Sequence, residues 1–62
     1  MSSKFWLGDN VKCVDKVTPF KIGTITNLEF VDNIKKFQYE ITLPNGVKLF
    51  KYEEKLRRVI KN

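Results

Sequence analysis

The chain has 62 residues, with 12 Lys and Arg against 7 Asp and Glu, a net charge of +5, no His and a single Cys. That length allows one small domain. The missing His removes the commonest general base near neutral pH, and one Cys rules out an intramolecular disulfide and every multi-cysteine zinc site.

The predicted elements are short and extended. Met1 to Lys4 is polar and expected to fray, leaving residues 5–62 as the domain. Gly8-Asp9 is a turn pair, after which Asn10 to Val14 alternates as a first strand. Val17 to Lys21 is a loop, because Pro19 donates to no ladder and biases Thr18 away from helix. Ile22 to Val31 is a second strand, with Gly23 marking a close backbone approach or a sharp bend. Asp32-Asn33 supplies a turn with Lys35 and Lys36 at its tip. Phe37 to Leu43 alternates over seven positions, so Phe37, Tyr39, Ile41 and Leu43 share one face. Asn45-Gly46 suits a type I′ hairpin turn after Pro44. Val47 to Lys51 returns as its partner, with Val47 and Leu49 inward. Tyr52 to Leu56 suits one 3₁₀ turn, and Arg57 to Ile60 forms a last strand with Val59 inward. Phe30 joins Phe37 and Tyr39 in the expected core, and Cys13 is a small buried hydrophobe. Phe5-Trp6-Leu7 either covers one open end or packs against a second copy of the chain.

At 42% hydrophobic residues the chain belongs with globular proteins. Burying about 60% of its unfolded surface supplies on the order of 95 kcal/mol. Ordering the chain costs about the same. A partner surface or self-association would therefore help it. No run approaches the ~20 apolar residues of a membrane span. No N-terminal stretch reads as a signal peptide, so a cytoplasmic setting is expected and no membrane partner.

Gly8-Asp9-x-Val11, Ile22-Gly23-Thr24-Ile25, Tyr39-x-Ile41, Asn45-Gly46 and Tyr52-Glu53-x-x-Leu56 together resemble the SH3-like small-barrel superfamily. Its Tudor and KOW domains and the small barrel protein of photosystem I show a similar run. The resemblance spans Trp6 to Val59 and implies an all-β, five-stranded SH3-like barrel with one short 3₁₀ turn before the last strand. Fold likeness alone assigns no function. The aromatic cage of methyl-lysine-reading Tudor domains would fall near Asp15 or Lys16, Leu43 and Leu49, none of them aromatic. The loop through which KOW domains bind RNA or proteins corresponds to Lys16, Phe20 and Lys21, which is compatible with such a role. Nothing marks the membrane-complex partner of the photosystem barrel. The Val-Gln-Ile-Tyr run of the plasmid-borne tetrameric dihydrofolate reductase barrels is absent.

Candidate binding residues cluster near the C-terminus. Lys55, Arg57, Arg58 and Lys61 are four cations within seven positions and would neutralise several phosphates. The plain alternative is a solvated basic tail, with Glu53 and Glu54 blunting its field. Lys12, Lys48 and Lys51 extend the cluster if the polar faces of strands one and four are neighbours. Phe50, flanked by Lys48 and Lys51, and Tyr52 would offer a stacking face. The first expectation is a non-catalytic nucleic-acid-binding or nucleoprotein-associated module. Its alternative is a protein-interaction adaptor or homo-oligomer anchored by Trp6, Phe20 and Phe50. The seven carboxylates show neither metal-loop spacing nor an acid/base pair, so no catalytic residue, metal or cofactor is assigned.

Overall fold

The period-two pattern of residues 37–43 organises the molecule. In the computed structural model, which describes residues 3–17 and 21–59, Tyr39, Ile41 and Leu43 are buried and Phe37 is half-buried against them. These side chains lie on or just past strand β3 (Lys36–Thr42). They meet Val11 and Cys13 of β1 (Asn10–Cys13), Ile25 of β2 (Ile22–Val31) and Leu56 of β5 (Leu56–Arg58). With β4 (Lys48–Tyr52) the strands form one antiparallel sheet in the order β4-β3-β2-β1-β5. A 3₁₀ turn over Asp32–Ile34 links β2 to β3, and another over Glu53–Lys55 links β4 to β5. The fold is therefore all-β, with a single 3₁₀ turn before the last strand. The sheet is not closed into a barrel, because β4 and β5 remain its two edges.

One ring ties the N-terminal segment to this sheet. The Tyr39 hydroxyl accepts the Lys4 and Phe5 backbone N–H groups at 3.2 and 3.3 Å. The Phe5 ring, itself buried, stands edge-on to Tyr39 with centroids 5.5 Å apart. Such a pair contributes about 1 kcal/mol beyond its buried area.

Several local expectations are corrected, each by a backbone irregularity or by distance from the core. In β2 the register shifts between Ile25 and Asn27. This bulge places Ile25 and Leu28, three apart, on the core side together. Asn45-Gly46 is not a type I′ turn. Such a turn needs positive φ at both residues, and here only Gly46 has it, at 89°. The Gly46 N–H donates to Leu43 O at 2.9 Å and the Leu43 N–H to Val47 O at 2.8 Å, the pattern of a three-residue loop with a glycine bulge. That extra residue leaves Val47 exposed rather than inward, while Leu49 packs on the core. Phe30, expected in the core, lies beyond it and is exposed, resting edge-on against Phe37 at 5.1 Å. The strand expected through Val14 stops at Cys13, and Lys36 already belongs to β3. In the last strand Leu56 is the inward residue, and Val59 follows it half-buried, its N–H on Asn10 O at 3.0 Å. Phe5 covers the core, but Trp6 and Leu7 do not. Cys13 is buried as expected. Pro19 and Ile60 lie outside the described residues.

Gly23 marks the close approach that its place in the strand implies. A Cβ there would lie 2.6 Å from Ile41 Cγ2 and 2.7 Å from Thr42 O. Backbone cannot yield as a side chain does, so Gly23→Ala is expected to cost about 2 kcal/mol through overpacking. Urea denaturation checks this, and an unchanged midpoint would contradict the packing described for β2 on β3.

Candidate nucleic-acid interface

The charges are shared out unevenly. Among the described residues, ion pairs join Asp32 to Lys35 at 3.0 Å, Glu54 to Lys36 at 2.7 Å and Glu40 to Lys48 at 3.5 Å. Asp15 meets Lys51 at 2.7 Å and Asp9 meets Arg58 at 3.2 Å. Five of the seven carboxylates thus sit on cations of the β2–β3 turn, of β3, of β4 and of β5. Lys55 and Arg57 join none of these pairs.

Those two residues lie on one edge of the sheet. Val11, Cys13 and Leu56 point into the core, so Lys12 of β1 and Arg57 of β5 share the outer face, directly opposite one another in register. Ile22 of β2 lies across from Lys12 in the same row. The Val14 N–H donates to Lys55 O at 2.9 Å, which sets Lys55 beside the end of β1. The Arg57 guanidinium donates to Leu56 O at 3.1 Å and remains exposed. The exposed Lys21 flanks the same end of β1, its carbonyl accepting the Cys13 N–H at 2.8 Å. The register thus brings two cations, Lys12 and Arg57, to one cross-strand pair beside the core residues Val11, Cys13 and Leu56.

The opposite half of the outer face has another character. Phe50 stands across from Glu40, and Gln38 across from Glu29. With Asn27 and Leu28 these residues line a shallow depression, and the Phe50 ring is 58% exposed at its rim. The Thr26 hydroxyl donates to Glu40 Oε1 at 2.6 Å and the Lys48 ammonium lies close by. The Thr26 hydrogen bond first, and Lys48 second, hold the Glu40 carboxyl below its ordinary range against a partial desolvation that raises it. The Lys36 contact does the same for Glu54. Phe50 therefore neighbours two carboxylates, Glu29 and the Lys48-paired Glu40.

The sequence-derived cluster is only partly assembled. Lys55 and Arg57 come together, and Lys12 joins them. The polar faces of β1 and β4 are not neighbours, because β2 and β3 intervene. Lys12 extends the cluster through β5 instead. Lys48 lies on the far edge with Glu40 and Thr42. Lys51 shares the Leu49 side of β4, where its side chain is mostly buried against Asp15. The Lys36 ammonium lies 5.8 Å from the Tyr52 ring centroid. Arg58 is a clamp. It lies 5.7 Å over the Phe5 ring and reaches Lys4 O at 3.1 Å as well as Asp9. Lys61 and Phe20 lie outside the described residues. Sequence reasoning missed which strands are neighbours and which cations are paired. The alternation of Lys12 with Val11 and Cys13 was a usable signal for its outward face.

Among the described residues no group of three or more Cys, Asp or Glu is placed to hold a metal ion. No helix among them is long and apolar enough to cross a membrane. Comparison with protein-family models, curated proteins and solved structures finds no match to any of them.

The lowered Glu40 and Glu54 carboxyls set a pH dependence. A carboxyl whose folded-state value lies below its ordinary 4.5 stabilises the fold above that value, and the contribution is lost as pH falls through the lowered one. Melting temperature followed from pH about 6 downward should therefore decline less steeply in Glu40→Gln/Glu54→Gln than in the parent. Parallel curves would contradict the two contacts.

Proposed function

We propose that this chain is a small non-catalytic binding module that takes the phosphate backbone of a nucleic acid on its β1–β5 face. The observation that carries this reading is the uneven pairing of charge. Lys55 and Arg57 lie outside the five ion pairs and share an edge with Lys12. Lys21 lies on the β2 side of the same end of β1, and Lys61 follows Arg57 in the chain. A polyanion meeting these side chains would release counterions. Recognition would be largely independent of sequence, since phosphate contacts position a ligand without reading bases.

The order of five antiparallel strands, with a 3₁₀ turn before the last, supports an SH3-like arrangement, whose KOW members bind RNA or proteins. A cytoplasmic setting suits such a ligand. Lysines also guard sheet edges against aggregation, but that role needs no saturable ligand. The alternative protein-assembly surface draws support from the exposed Trp6 and Phe50. These two lie at separate places, one ahead of β1 and one on the β4 edge.

Lys55→Glu/Arg57→Glu should weaken binding of a fluorescently labelled DNA duplex more than ten-fold. Its slope against log salt should fall by about 0.9 for each phosphate no longer neutralised. Lys35→Glu, which removes a cation already paired with Asp32, should change little. Equal effects of the two variants would point to general net charge. Unchanged binding by the double variant would overturn the face assignment.

A further inference from the structure

Resting on that reading, we infer that Trp6 is a preformed stacking platform for an unpaired base, which makes single-stranded nucleic acid the preferred ligand class. Trp6 is the only Trp in the chain, and it is 64% exposed. A large aromatic ring left in water is ordinarily mobile or incidental, yet the backbone beneath this one is held from several sides. The Trp6 N–H donates to Asp9 Oδ2 at 3.0 Å, and the Asp9 N–H returns to Trp6 O at 3.0 Å. Gly8 closes the turn at φ +91°, its N–H on Ile25 O at 2.9 Å, while Asp9 O accepts the Ile25 N–H at 2.9 Å. Arg58 reaches the same Asp9 carboxylate and Lys4 O, and the preceding Phe5 is buried on Tyr39.

The chemistry around this turn favours a base over an apolar protein surface. The charged neighbours that the turn contacts are Asp9 and Arg58, and Asp9 is neutralised by Arg58. Lys4 precedes the turn, and Asn10 opens the strand that carries Lys12 opposite Arg57. Arg58 faces the turn while Arg57 faces the outer side, and a shallow depression lined by Lys4, Phe5, Leu56, Arg57 and Arg58 joins the two. A strand whose phosphates lie along Lys12, Arg57 and Lys55 would bring an unpaired base toward the indole. Aromatic stacking is tolerant of sequence and needs a π-face that a paired base withholds. The exposed Phe50, which neighbours Glu40 across β3, lacks these companions.

The test uses the intact chain, an oligodeoxythymidine and a duplex of equal length. Binding is followed by anisotropy of the labelled nucleic acid and by intrinsic fluorescence of Trp6. The expected result is quenching of Trp6 by the single strand and weak quenching by the duplex. Trp6→Ala should lose about ten-fold in single-strand affinity and less than two-fold on the duplex, with Trp6→Phe between. Circular dichroism confirms that the variants fold. Single-strand binding without quenching, equal in parent and Trp6→Ala, would overturn the stacking role and leave the phosphate face standing. Binding of neither nucleic acid would overturn both. Self-association abolished by Trp6→Ala, with nucleic-acid affinity unchanged, would reassign the indole to a protein contact.

Discussion

The Tyr39 side chain is the interaction on which the rest of the structure depends. Its ring fills the centre of the core from β3, and its hydroxyl receives the backbone of Lys4 and Phe5. That pins the N-terminal segment across the sheet, so that Phe5 lies under Arg58 and Asp9 can meet Arg58 from the other side. Without it the segment that covers the core would lose the two backbone hydrogen bonds that hold it against the sheet. The hydroxyl is the feature that decides this. A phenyl ring would supply the packing and leave two backbone donors to find other partners.

The second organising fact is that charge is shared among neighbours by strand order. Asp15 follows β1 yet neutralises Lys51 of β4, and Glu54 of the second 3₁₀ turn neutralises Lys36 of β3. Exposed pairs of this kind add little to stability. Their larger effect is on the surface field. The cations near the β3–β4 hairpin and the turns are paired, whereas Lys55 and Arg57 on the β5 edge lie outside the five ion pairs. This is the physical basis of the proposed phosphate contact.

Much of the fold was legible because its signals are local. The alternation of Phe37 to Leu43, the turn residues Gly8, Asn45 and Gly46, and the short Glu53–Lys55 segment each act within a few residues. What was not legible depended on one-residue irregularities. The bulge after Ile25 and the extra residue at Gly46 each shift side-chain parity, which is why Leu28 turns in and Val47 turns out. The candidate site was harder still, because adjacency in sequence is a poor guide to adjacency in a sheet. Arg57 and Arg58 are neighbours in the chain, yet one lies opposite Lys12 on the outer face and the other clamps Phe5 and Asp9. Phe50 looked basic between Lys48 and Lys51, and the partner that sets its surroundings is Glu40, ten positions earlier on β3.

The central claim is that one edge of the sheet, and not the chain's positive charge at large, meets the ligand. A nitrogen-15 NMR titration of the intact protein with a short single strand, at two salt concentrations, tests it most directly. The account predicts amide shifts concentrated at Trp6, Asn10 to Val14 and Lys55 to Val59, weakening with salt and leaving Lys48 to Tyr52 unmoved. Shifts centred on β4, or spread evenly over every lysine, would contradict it.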